Sequence, residues 1–251
     1  MKIGLVLSGG SARGITHLGV IKALNEIGIR AELVSGVSAG SIVGAFYLAG
    51  YSPEDTMKLI VEHKFYTWTR MSWARAGWLT MAKIEELLSR YLPARFEDLD
   101  GALTVSATDL VHSETAWFDS GPLVKPICGS SAIPIVFNPV AYDDKLLLDG
   151  GILNNFATEP LEGGKCDKII GVHVNHIGQD KGFGMRDVMD RVVHLAISSA
   201  VRDKKDRCHV FIEPPDMHRF SVTDLSKAKD MIEVGYAYTM SKRAELEALM
   251  A

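Results

Sequence analysis

Cysteine is scarce. Cys128, Cys166 and Cys208 are the only three in 251 residues, an odd and widely spaced set that argues against a disulfide framework and for a reducing compartment. Long apolar runs are also missing. The longest, around residues 42–49, is far short of the roughly 18 residues that suggest a membrane span. The stretch Ile3 to Leu7, ahead of polar Ser8, is too short for the core of a signal peptide. The expectation is a cytoplasmic protein with at most peripheral contact with a membrane.

Charge of one sign is lacking too. A net charge of −4 gives no general field for nucleic acid, and no nucleic-acid motif is present. One local exception is residues 64–95, where Lys64, Arg70, Arg75, Lys83, Arg90 and Arg95 face only Glu85 and Glu86. Inside it, the Trp-rich stretch Phe65 to Leu79 is expected to cover core, with a lid as the alternative. Internal repeats, low-complexity tracts and linkers are absent, so one domain is expected over residues 1–251.

What is present is an alternation of short β-rich runs and helical periods. Lys2 to Leu7 predicts a first strand. Val20, Leu24 and Ile27 then recur at helical spacing, closed by Gly28. A second strand near Glu32 to Ser35 leads into an apolar helix that Gly50 ends. Ser52-Pro53 opens another helix, to about His63, and Thr80 is expected to cap the next.

Leu103 to Leu110 with Thr115 to Asp119, and Val140 to Asp149 turning at Asp143-Asp144, predict two hairpins. Strands follow at Lys168 to Val174 and His209 to Ile212. Helices are expected from about Met185 to Asp206 and from about Leu225 to Met250. The pattern predicts an α/β fold, a three-layer sandwich with a mostly parallel central sheet and helices on both faces.

Between the second strand and its helix stands Gly36-Val37-Ser38-Ala39-Gly40. A strand that turns at once into a helix leaves its corner residue exposed, and flanking glycines remove Cβ atoms that would clash there. Ser38 is thereby a candidate nucleophile, with a helix N-terminus behind it. Gly9, Gly10 and Ser11, after the first strand, offer backbone N–H groups to an oxyanion. Arg13 is placed either to shape that loop or to add charge to it. Asp149 ends a strand, where open sheets gather their sites, and Gly150 and Gly151 beside it let other backbone approach. A carboxylate buried near a hydroxyl can have its pKa raised into the range of a general base.

His173, His176, His194, His209 and His218 all follow Ser38, yet none stands in a setting that marks it as the base. His173 and His176 resemble a metal pair only by proximity, and a structural role is expected for them and for His17. The glycine loop does not meet the dinucleotide fingerprint, which asks for a glycine at Ser11, and no Lys stands in P-loop position.

Taken together, the segment from Ser8 through Gly14, the serine corner from Gly36 to Gly40, and Asp149-Gly150-Gly151 resemble the patatin-like phospholipase family. The likeness runs from the first strand to about Asn155, including Ser130 to Pro134 and Asn154-Asn155, so the motif-bearing part is about residues 1–160. It implies a lipid acyl hydrolase with Ser38 as nucleophile, Asp149 as base and the loop amides as oxyanion hole. It also implies an acyl lipid or phospholipid substrate and no cofactor or metal. Many members carry a third glycine where this chain has Ser11. Two rivals remain: a Ser-His-Asp esterase, and a catalytically silent lipid-binding or regulatory protein on the same fold.

Overall fold

The computed structural model describes residues 1–63, 81–176, 195, 201, 203–222 and 225–250. Its centre is strand β1 (Ile3–Leu7), whose five residues are all buried. Alternation along a strand sends successive side chains to opposite faces. Ile3, Leu5 and Leu7 accordingly enter the larger core, while Val6 joins Phe156, Leu161, Ile169 and Val201 on the other side. A strand buried on both faces is what a parallel sheet between two layers requires.

Parallel partners flank β1 on either side. On one side runs β2 (Leu33–Val37), followed by β3 (Ala102–Asp109) in the same direction. An antiparallel hairpin partner, β4 (Glu114–Phe118), pairs with β3. Strands β5 (Val140–Tyr142) and β6 (Lys145–Leu148) form the second hairpin, and β6 joins β3 at Thr108 and Asp109. On the other side of β1 lie β7 (Lys168–Val172) and β8 (Val210–Ile212), both parallel. Both hairpins form as the sequence predicts. Among the described residues the sheet has eight strands, parallel through its centre and antiparallel at one margin.

Helix α1 (Thr16–Ile27) ends on Gly28 at φ 87°, the left-handed conformation a glycine adopts without strain. Helix α2 (Ala39–Leu48) packs on β2 and β3. Helix α3 (Pro53–Glu62) starts as expected: the Asp55 N–H donates to Ser52 Oγ at 3.0 Å, and Pro53 holds the first helical position. Two further helices, α4 (Ala82–Tyr91) and α5 (Val124–Ser130), complete this cover with the C-terminal helices. On the opposite face, the described cover is α6 (Gly151–Asn154), the short 3-10 turn Glu159–Leu161 and the side chains around Phe156.

Two expectations need correction. The second strand does not stop at Ser35 but continues to Val37, because β1 pairs with it as far as Gly36 and β3 as far as Val37. The C-terminal helix is not continuous: a 3-10 turn at Leu225–Lys227 precedes α7 (Ala228–Ser241), and Lys242 separates it from α8 (Arg243–Leu249). Near that break, Thr239 Oγ1 donates to the Gly235 carbonyl and Ser241 Oγ to that of Tyr238. Such hydroxyls compete with the helical ladder. Phe65 to Leu79, Thr80, His194 and most of the helix expected from Met185 lie outside the described residues; its expected end at Asp206 is a 3-10 turn, Lys205–Arg207.

Candidate active site

Local sequence sets the corner. Ser38 links β2 to α2 with φ 51° and ψ −124°, a strained conformation for a residue with a side chain. The tight turn works only without side chains beside it. A Cβ on Gly36 would meet Ser41 Cα at 2.6 Å, one on Gly40 would strike the Leu7 carbonyl, and one on Gly14 would strike the Cβ of Ala39. The corner is not exposed as the sequence predicts: Ser38 is only 5 % exposed, its hydroxyl turned onto a buried carboxylate, and the N-terminus of α2 brings the positive end of its dipole to it.

The fold brings Asp149 to this corner across 111 positions of sequence. Ser38 Oγ donates to Asp149 Oδ2 at 2.6 Å. The other carboxylate oxygen accepts the Gly151 N–H at 2.8 Å. Burial pushes the Asp149 carboxyl up to about 6, against the pull of these two hydrogen bonds. Its backbone is fixed as well: the Asp149 N–H donates to the Ala132 carbonyl at 2.9 Å, and Thr108 Oγ1 donates to the Asp149 carbonyl at 2.9 Å. Gly150 lies so close to the Ser106 carbonyl that a side chain there would collide with it.

The stretch from Ser130 is part of the family likeness, but no local signal in it gives Ser130 a task. Its Oγ accepts the Ser38 N–H at 2.8 Å and donates to the Ser106 carbonyl at 2.6 Å. It thus ties the corner to β3. Ser41 Oγ donates to the Ser38 carbonyl at 2.6 Å.

The loop after β1 faces the same corner. Gly9 has its N–H already directed to the Asn155 carbonyl at 3.3 Å. What it gives the site is room, since a Cβ there would lie 3.2 Å from Ser38 Cβ and collide with the Asn155 amide. Among the described residues no acceptor takes the N–H of Gly10 or of Ser11. Ser11 has φ 50°, so the position carries a left-handed residue in the absence of glycine. Arg13 is buried, and its Nε donates to the Phe220 carbonyl at 2.8 Å. It anchors the short 3-10 turn Ser11–Ile15 to the C-terminal part of the chain.

An apolar cavity of about 110 Å³ opens beside Ser38, lined among others by Ser11, Ile15, Ile42, Val43, Ile133 and Phe137. Among the described residues no histidine lines it. His17 Nε2 bonds to the Ser8 carbonyl at 2.9 Å, and burial lowers its pKa to about 4, so the ring is neutral. His173 Nδ1 lies 2.7 Å from Glu213 Oε1, and His176 Nδ1 lies 3.4 Å from Glu213 Oε2. This acidic partner lies far along the chain from the two histidines, and the sequence alone did not reveal it. His209 accepts the Ile169 N–H, and His218 bonds to the Pro215 carbonyl. Among the described residues no group of three or more His, Cys, Asp or Glu side chains is placed to hold a metal.

A three-layer α/β sheet with a strained serine corner at the carboxyl ends of its parallel strands, and an aspartate bonded to that serine, defines a class of open α/β proteins with a serine elbow. The chain belongs to the patatin-like phospholipase family, whose model matches residues 5–162. It is 36% identical over 177 residues to an uncharacterised NTE family protein of Mycobacterium tuberculosis, covering 69% of this chain and 49% of that one. It is 26% identical to lysophospholipase NTE1 of Kluyveromyces lactis, over 94% of this chain and 19% of the yeast protein. The chain therefore spans about half the length of the mycobacterial relative and a fifth of the yeast one. Its fold resembles that of VipD from Legionella pneumophila, with a TM-score of 0.59 at 16% identity, over 98% of this chain and 67% of that one.

Proposed function

We propose that the protein is a serine acyl hydrolase that cleaves carboxylic esters of acyl lipids, phospholipids included, through a Ser38–Asp149 dyad. The observation that carries this reading is the 2.6 Å hydrogen bond from Ser38 Oγ to Asp149 Oδ2, made at a strained corner that opens on an apolar cavity. In the ionised form Asp149 accepts the Ser38 proton as Oγ bonds to the acyl carbon. The carbonyl oxygen becomes an oxyanion facing the N–H groups of Gly10 and Ser11. As the tetrahedral adduct collapses, the ester C–O bond breaks and the leaving alkoxide takes the proton from Asp149. A water molecule then gives a proton to Asp149 and attacks the acyl-enzyme, and Ser38 Oγ recovers that proton when the fatty acid leaves.

The family membership supports the substrate class, and the apolar lining supports an acyl chain beside Ser38. The free, widely spaced cysteines support a reducing, cytoplasmic setting, from which the enzyme meets its lipid at the membrane surface. No helix among the described residues is long and apolar enough to cross a membrane. The decisive experiment combines labelling by a fluorophosphonate probe with hydrolysis of a short-chain p-nitrophenyl ester. Wild type is expected to label and turn over, with both lost in Ser38→Ala. A Ser38→Ala protein as active as wild type defeats the reading. Vesicle binding with no labelling of wild type favours a silent lipid-binding protein, and loss of turnover in one His→Ala variant favours a Ser-His-Asp esterase.

A further inference from the structure

Asn175 lies beyond the residues matched by the family model and has no part in the dyad. It stands just past the end of β7, the parallel neighbour of β1, with Val172 opposite Leu7. The two chains remain in contact after their strands end. The Ser8 N–H donates to the Val172 carbonyl at 3.1 Å, and the Val174 N–H donates to Ser8 Oγ at 3.2 Å. One residue further on, Asn175 Nδ2 donates to the Gly9 carbonyl at 2.6 Å. Asn175 is 6 % exposed. A carbonyl oxygen only accepts, so this contact fixes which way the Asn175 amide faces.

The Gly9 carbonyl and the Gly10 N–H belong to a single peptide unit. That unit is planar and trans, so its N–H points opposite to its C=O. Holding the oxygen therefore sets the direction of the hydrogen. Without such a hold, a peptide between two glycines has few steric restraints on its tilt. The neighbouring units are held in the same way. The Gly10 carbonyl accepts the Arg13 N–H at 3.0 Å, which orients the Ser11 N–H, and the Ser8 carbonyl is bonded to His17 Nε2 at 2.9 Å. The two N–H groups without a described acceptor thus belong to peptides whose carbonyls are already fixed.

We propose that Asn175 is a positioning residue, whose side-chain amide holds the Gly9–Gly10 peptide so that the Gly10 N–H faces the oxyanion formed at Ser38. A hydrogen bond to the carbonyl also polarises the peptide and strengthens its N–H as a donor. The inference rests on the reading of Gly10 as an oxyanion donor. It adds that this donor is set from β7, through a residue that touches no substrate.

The test compares full-length wild type, Asn175→Ala and Asn175→Asp on p-nitrophenyl butyrate and on its thionoester, in which sulfur replaces the carbonyl oxygen. Sulfur is a poorer acceptor and gains less from the oxyanion donors. Loss of a donor's alignment should lower kcat on the oxygen ester about ten- to a hundredfold, with KM held within about threefold. The thionoester rate should fall much less, so the oxygen-to-thiono rate ratio contracts. Asn175→Asp keeps the shape but loses the N–H donor, and should behave like Asn175→Ala.

The ratio is taken on one preparation, so the fraction of folded protein cancels. A ratio equal to that of wild type, whatever the loss in rate, overturns the proposal and makes Asn175 a packing residue. Full activity in either variant overturns it too. If the alanine variant does not fold, the aspartate variant carries the test, and failure of both to fold also overturns it. An unchanged ratio leaves the dyad intact, whereas a fully active Ser38→Ala defeats the dyad itself.

Discussion

At the scale of single residues, Asp149 carries the sharpest expectations. Burial holds its carboxyl at about 6, and in the proposed dyad it must be ionised to accept a proton. Activity should therefore fall with one proton's slope as pH drops through about 6, which a profile of kcat/KM against pH measures. Stability has the opposite sense. The folded chain retains the Asp149 proton up to about pH 6, while the unfolded chain releases it near 3.8. Asp149 therefore lowers stability as pH rises between those values. Asp149→Asn should abolish turnover yet raise unfolding free energy at pH 8 by about 1–3 kcal/mol in urea melts.

Ser11 gives a second expectation at this scale. Its φ of 50° is readily adopted by glycine and poorly by a β-branched residue. Ser11→Gly should keep the activity, whereas Ser11→Val should lower kcat about tenfold or more by displacing the loop amide. Steady-state kinetics on the p-nitrophenyl ester separates the two. The departure from the family's third glycine is thus a residue held in a glycine's conformation.

At the scale of elements, the loop after β1 depends on what lies behind it. Helix α1 follows that loop and packs against α7 at a crossing with no room for side chains. A Cβ on Gly19 would enter the Ile232 carbonyl, and one on Gly235 would lie 2.5 Å from the Thr16 carbonyl. Gly19→Ala should therefore force the helices apart and cost about 1–3 kcal/mol of stability, read as a lower urea midpoint with unchanged m. The serine corner was legible in sequence because strand, glycines and helix are contiguous there. The short 3-10 turn after Gly10 was not, because Arg13 anchors it to Phe220, far along the chain; nor was the break at Lys242, because local hydroxyl hydrogen bonds leave no period in the sequence.

At the scale of the whole molecule, the matched segment 5–162 holds the motifs but not the structure around them. Strand β1 pairs with β7 throughout its length, and Arg13 is anchored to Phe220. A fragment ending at residue 162 loses β7, β8, Asn175 and α7, and leaves β1 as an exposed edge. It should lack a cooperative thermal transition and fail to label with the fluorophosphonate, as circular dichroism and gel fluorescence would show.

The sequence by itself determined the pieces that depend on neighbours along the chain. These are the buried, β-rich run that forms β1, the glycine-flanked corner at Ser38 and the Asp149-Gly150-Gly151 turn. Only the tertiary structure decided which distant groups meet. It set Ser130 against the Ser38 amide, Glu213 between His173 and His176, and Asn175 on the Gly9 carbonyl. The physical reason is the parallel sheet, which gathers the carboxyl ends of strands far apart in sequence, so that contacts between the loops following them leave no spacing to read.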